Sequence, residues 1–180
     1  MNRKELREHL ESYRTDFAGE MDFVPRFIAL LGHPRAYQRD HLPGHLTGSA
    51  WIINSDRTNV LLTHHAKLNR WLQPGGHADG VEDILSVALK EAEEETGLRD
   101  LVPGFRGIFD IDIHTIPART DFPQHDHYDV RFLFEALGDS RLVISEESKD
   151  LAWVPLANVD QVSNSNQSMI RMALKTARLF

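Results

Sequence analysis

Glu91, Glu94 and Glu95 are the residues of this chain whose types and spacing point most directly to chemistry. They close a stretch, Gly75 to Leu98, that opens on paired glycines and ends on Thr96-Gly97-Leu98. At i, i+3 and i+4 they occupy neighbouring positions on one side of a helix. In the same segment Val81, Ile84, Leu85, Ala88 and Ala92 recur at helical spacing and predict a core-facing stripe. At roughly 100° per residue, Glu95 falls inside that stripe, Glu91 at its edge and Glu94 along its border. Burying an unpaired carboxylate costs several kcal/mol or forces protonation. A cation therefore belongs there, and a divalent metal ion suits hard oxygen ligands. Glu93, roughly opposite the stripe, reads as a solvated side chain.

A second polar set follows the helix. On the segment from Asp110 to His114, Asp110, Asp112 and His114 alternate with isoleucines and share one strand face. On the segment from His127 to Phe132, His127, Asp129 and Arg131 share a face, with Tyr128, Val130, Phe132 and Phe134 opposite. If the two strands pair as a hairpin, all six polar groups converge. They form either a solvated face or the wall of a site. A second metal held by His114, His127 and an Asp is the weaker expectation.

The elements that must carry these residues are legible in outline. Residues 3 to 17 predict an amphipathic helix with Leu6, Leu10, Tyr13 and Phe17 on one face, and Asp22 to Leu31 a second helix stopped by Gly32. Residues 33 to 45 read as a connector. Leu46 to Asn54 and Val60 to His64 predict a hairpin of strands. Ala66 to Gly76 reads as a loop, and the acidic helix follows. Phe105 to Ile116 reads as a strand interrupted near Gly107, and His125 to Leu137 as the next, ended by Gly138-Asp139-Ser140. Leu151 to Leu156 is a short strand, and Ser163-Asn164-Ser165 predicts the cap of a C-terminal helix. The order of strands, helix, strands, helix predicts an α/β fold, a mixed sheet covered by helices. The expected division is a helical appendage over 1–44 and a main domain over 45–180. The appendage can cap the domain, line its pocket or make a homodimer.

Composition narrows the function. A net charge of −7 argues against nucleic acid as a partner. The absence of cysteine excludes disulfides, thiolate metal sites and cysteine nucleophiles, and fits a cytoplasmic protein. No signal-peptide core or membrane-length apolar run is present, so no membrane partner is expected.

The acidic stretch resembles the Nudix box of the Nudix hydrolase superfamily, G-x5-E-x7-R-E-U-x-E-E-x-G-U, where U is aliphatic. Gly76 is followed by Glu82, then by Lys90-Glu91-Ala92-Glu93-Glu94-Glu95-Thr96-Gly97-Leu98. Lys90 stands where the pattern has Arg, supplying charge without a bidentate fork. The Gln73-Pro74 lead-in and the Trp153-Val154-Pro155-Leu156 strand are also similar to common features of the family. The resemblance implies an α/β/α sandwich over residues 45 to 178. It also implies hydrolysis of a small-molecule phosphoanhydride, assisted by Mg²⁺ or Mn²⁺.

By position, Glu91 and Glu95 would be the principal metal ligands. Glu94 would be a further ligand or would activate water, and the Gly75 carbonyl would complete the shell. Glu82 and Lys90 would support these groups. His77 would lie near a bound phosphate. The polar hairpin would line the pocket, with Arg131 or a histidine contacting phosphate, and Glu146 or Glu147 would be a further metal-binding or basic residue. Ile113 stands where many ADP-ribose enzymes of the family carry proline, and the cysteine of the isomerase branch is absent. A nucleoside diphosphate derivative is thus the expected class. The alternative is a non-catalytic ligand-binding or sensor domain, against which the intact carboxylate set argues.

Overall fold

The computed structural model describes residues 1–138 and 141–180; Asp139 and Ser140, assigned above to a turn, lie outside the described residues. Its centre is strand β1 (Gly44–Asn54). β1 runs parallel to β7 (His125–Ala136), in register from Gly44 opposite Asp126 to Asn54 opposite Ala136. It also pairs antiparallel with β2 (Asn59–His65) and with β4 (Gly75–His77). β3 (Arg70–Leu72) and β8 (Ser148–Pro155) pair with β2, while β5 (Leu101–Pro103) and β6 (Asp110–Ile116) pair with β7. The result is the mixed sheet the sequence predicts. Its helices are α1 (Arg3–Glu11), α2 (Ala18–Met21), α3 (Phe23–Leu31), α4 (Ile84–Thr96), α5 (Val159–Val162) and α6 (Gln167–Leu179).

The twofold alternation of a strand sorts β1 between two cores. Leu46, Ala50 and Ile52 join Val130, Phe132 and Phe134 of β7 beneath Ile84, Ala88 and Ala92 of α4, and Leu6, Leu10, Phe27 and Leu31 of α1 and α3 share that core. Trp51 and Ile53 face the other way, with Leu133, toward Met169, Met172 and Ala173 of α6. Helices thus cover both sides of the sheet.

Several boundaries differ from expectation for local reasons. α1 begins with a capping box between Asn2 and Glu5 and stops at Glu11, where the Ser12 hydroxyl donates to the Glu8 carbonyl at 3.0 Å. Tyr13 is buried although it lies beyond the helix. The loop expected between Ala66 and Gly76 contains β3 and the start of β4, strands too short to show a periodicity. The strand expected from Phe105 begins at Asp110. The last helix is capped by Asn166, whose side chain accepts from the Ser168 and Met169 amides, rather than by Ser163 to Ser165.

Candidate functional site

α4 is capped by Asp83, which accepts from the Ser86 amide at 3.2 Å, and closes on Gly97 at φ 75°. Val81 therefore precedes the helix and is 48 % exposed, outside the stripe expected of it. Glu91 and Glu95 are half-buried on the side of α4 that meets β4. The Gly75 N–H donates to Glu95 Oε1 at 2.8 Å. A Cβ at Gly76 would lie 2.4 Å from the Glu91 carboxyl carbon, and one at Gly75 would lie 2.2 Å from Ser49 Oγ. The paired glycines let the strand run flush against both β1 and the acidic face of the helix.

Burial pushes the Glu95 carboxyl up to about 7, with Glu91 and Glu147 adding like-charge repulsion. Burial is also the main reason that Glu91 is raised, and Glu94 and Glu147 contribute. Among the described residues neither Glu91 nor Glu95 joins an ion pair, although Lys90 is spent on Glu94 at 3.0 Å. Two desolvated carboxylates without a cationic partner are suited to a hard divalent cation. The chemistry of this donor set therefore fits Mg²⁺ or Mn²⁺.

The other members of the stretch are placed differently. Glu94 is exposed, turned toward Lys90 rather than bordering the buried face. Glu82, expected to support the ligands, is instead held by Arg3 of α1, whose Nε donates to it at 2.9 Å. The same guanidinium donates to the Leu31, His33 and Pro34 carbonyls, so Arg3 staples the loop before α4 to the end of α3. Glu147, although exposed, lies close enough to influence both buried carboxylates; Glu146 is exposed beside it.

On the opposite face of the sheet the expected hairpin forms. Asp110 pairs with Arg131, Asp112 with Asp129 and His114 with His127. The six groups converge, but half of them are closed in. Arg131 is 2 % exposed and donates through Nε to Asp129 at 2.7 Å, through Nη1 to Asp110 at 3.0 Å and through Nη2 to Asp112 at 3.2 Å. The phosphate contact expected of Arg131 is replaced by a buried ion network, because three carboxylates consume its donors. Asp129, also enclosed, accepts from Thr47 at 3.0 Å and Ser49 at 2.8 Å. From α6, Arg171 donates to Asp110 at 2.9 Å, and Lys175 reaches Asp110 at 2.7 Å and the fully buried Glu20 at 2.5 Å. Asp110 and Asp112 are held below the usual carboxylate range by Arg131 and Arg171, against the opposing effect of burial.

The histidines gather at the open end of this face. His127 Nε2 lies 3.3 Å from His77 Nε2 and 3.3 Å from His125 Nε2. His45 stacks among them, with ring centroids 5.2 Å from His77 and 5.0 Å from both His125 and His127. Burial pushes His45 down to about 4 and His127 down to about 2, with neighbouring imidazoles adding to both shifts. The set expected for a second metal, His114, His127 and an Asp, shares this face but does not bring its ligand atoms within 4.8 Å of one another. Among the described residues the trio of ligand atoms that does converge is His45, His77 and His127. His114 lies at the rim, its Nδ1 3.5 Å from Asp112.

His45, Arg3, Glu20, Arg171 and Lys175 join these networks without having been expected from the sequence. A signal existed for two groups of them. His45, Thr47 and Ser49 alternate as polar residues on β1, and Arg171 and Lys175 sit at i, i+4 on one face of the C-terminal helix.

The family model described as the NUDIX domain matches residues 45–173. Over 57 residues the chain is 42 % identical to the m7GpppN-mRNA hydrolase NUDT17 of Xenopus laevis, covering 29 % of this chain and 19 % of that protein. The chain spans between 19 % and 33 % of the length of the curated relatives it matches. Among solved structures, a C. elegans Ap4A hydrolase binary complex aligns with a TM-score of 0.62 at 16 % identity, over 74 % of this chain and 96 % of that one. The NUDIX domain of Shewanella oneidensis NrtR complexed with ADP ribose aligns with a TM-score of 0.53 at 20 % identity, over 89 % of this chain and 99 % of that one. At these identities the structural likeness concerns the fold.

Proposed function

The chain belongs to the Nudix hydrolase family, and from that membership we propose that it hydrolyses a phosphoanhydride bond in a nucleoside diphosphate derivative, using Mg²⁺ or Mn²⁺. The observation that carries this reading is the pair Glu91 and Glu95, desolvated and without a cationic partner against the Gly75-Gly76 strand. These two would hold the ion with the Gly75 carbonyl. Glu94 would join after turning away from Lys90. When bound, such an ion supplies charge neutralisation to the diphosphate oxygens and a water acidic enough to attack at neutral pH.

The chain's own residues do the rest. Glu95, titrating near 7, can take up and release a proton at working pH, and burial raises Glu91 in the same direction. Glu147 completes the acidic wall. His77, His114 and His127 present imidazoles to substrate on the far side of β4. Asp112, Asp129 and Arg131 position that face from beneath. Glu82 acts through Arg3 on the loop entering α4. The setting we propose is cytoplasmic, in keeping with the absence of cysteine. No helix of the described residues is long and apolar enough to cross a membrane.

The test is a panel of nucleotide-sugar, dinucleotide, coenzyme and nucleoside triphosphate substrates with each metal, run beside Glu95→Gln. The expected outcome is turnover of at least one class, reduced about 100-fold or more in the variant. No turnover on any substrate, with metal still binding, would turn the reading to a sensor domain.

A further inference from the structure

Strand β4 separates two different donor sets. The Cβ direction at Gly76 points into the Glu91 carboxylate. Successive residues of a strand face opposite ways, so His77 points to the other side, where it meets His45 and His127. The carboxylates lie on the α4 side and the imidazoles on the other.

The imidazole lone pairs that meet here outnumber the protons between them. His45 Nδ1 lies 3.3 Å from the His41 carbonyl oxygen, and His125 Nδ1 lies 2.9 Å from that of Pro123. A carbonyl oxygen only accepts, so each of these rings carries its proton on Nδ1 and presents a lone pair at Nε2. His45 Nε2 is buried and has no hydrogen-bond partner among the described residues. His127 Nε2 is approached by two other Nε2 atoms at 3.3 Å, and it has one proton at most to offer them. The arrangement therefore gathers more lone pairs than protons. A backbone carbonyl fixing Nδ1–H while Nε2 points inward is also how proteins orient histidine ligands to a metal. The spacing agrees: two nitrogens at ~2.0–2.1 Å from a tetrahedral ion stand about 3.3 Å apart. The candidate ligand atoms of His45, His77 and His127 lie within 4.8 Å of one another, and His77 and His127 remain partly open to solvent.

We propose that His45, His77 and His127 form a binding site for one imidazole-preferring transition-metal ion, Zn²⁺ in the first instance. It is distinct from the carboxylate site and, with His77 and His127 partly exposed, leaves one corner open to solvent. The donor set separates the two by chemistry, since neutral imidazoles suit Zn²⁺ and related ions whereas Mg²⁺ selects oxygen. Three histidines with a fourth position open to water or a substrate oxygen is an arrangement that binds ligands as well as metal.

The experiment uses the full chain freed of metal, then saturated with Mg²⁺ and titrated with Co²⁺ as a spectroscopic stand-in for Zn²⁺. One equivalent should develop the intense visible bands of a four-coordinate ion, and Zn²⁺ should abolish them. His45→Gln and His127→Gln should remove the bands while circular dichroism stays native. The partly exposed His77→Gln should weaken Co²⁺ binding about 10-fold or more, and it carries the test if a buried variant unfolds. Glu95→Gln should leave the bands intact, which separates this site from the proposed hydrolytic one. Weak six-coordinate spectra in the parent protein, bands that survive in all folded histidine variants, or bands lost only in Glu95→Gln would overturn the proposal.

Discussion

Gly75 and Gly76 are adjacent, yet a methyl group on each would fail for a different reason. At Gly76 it meets the end of the Glu91 side chain, which can swing aside. Gly76→Ala is therefore expected to displace a carboxylate, lowering kcat/KM about 10-fold or more with little loss of stability. At Gly75 it meets Ser49, including its Cα at 3.0 Å, so β4 must part from β1. Gly75→Ala is expected to cost on the order of 1–3 kcal/mol in urea unfolding. Equal effects of the two changes on stability would refute the distinction. Glu95 gives a third expectation. Its folded-state pKa of about 7 lies above the ordinary value of 4.5, so the folded state holds the extra proton between them. Stability from this group is full below about pH 4 and declines as pH rises through 7. In metal-free protein at pH 8, Glu95→Gln should be more stable than the parent by on the order of 1 kcal/mol, a gain that shrinks at pH 5. Parallel pH profiles for the two proteins would exclude the desolvated state.

At the scale of elements, α6 is tied to β6 by charge as well as by apolar packing. Arg171 and Lys175 reach Asp110, and Lys175 reaches Glu20. Without Arg171, Asp110 keeps Arg131 and Lys175 but loses two charge-assisted hydrogen bonds, so Arg171→Met is expected to lose about 1–3 kcal/mol, read by chemical denaturation. Asp110 and Asp112 are held below the ordinary carboxylate range, so the stability they contribute is present above about pH 4 and lost as pH falls below it. The parent should show a steeper acid transition than Arg171→Met; superimposable acid curves would dismiss the network's role. These elements also show how far the sequence can be read. The α4 stripe, the β1–β2 hairpin and the β6–β7 pairing follow from local periodicity, and all three form, the stripe without Val81. Arg131 carried no sign of its burial, because its enclosure depends on a helix 40 residues further on, from Arg131 to Arg171. The partner of Glu82 is hidden from a local reading for the same reason, since Arg3 lies at the far N-terminus. His45 carries no local sign of its partners, because only the parallel register of β1 with β7 brings it beside His127.

Taken whole, the molecule has an N-terminal segment that reaches into the main core. We keep 1–44 and 45–180 as the proposed division, with the first part acting as a cap. Leu6, Leu10, Phe27 and Leu31 are almost wholly buried, and burying each contributes about 1.5–3 kcal/mol. Their sum is comparable with the whole margin of a typical domain, about 5–15 kcal/mol. A chain starting at residue 33 is therefore expected to lack a cooperative thermal transition. Sharp unfolding in calorimetry would instead make the cap dispensable. The parallel pairing of β1 with β7 has a consequence in time. Thr47 and Asp129 are 82 positions apart yet share a hydrogen bond, so the centre of the sheet closes only after a long stretch of chain has been gathered. Such distant pairings slow folding. α4 can coil early on its own, but both donor sets need β4 seated on β1, and the histidines need β7 as well. Binding competence should therefore arrive late in refolding, after helical signal has largely recovered.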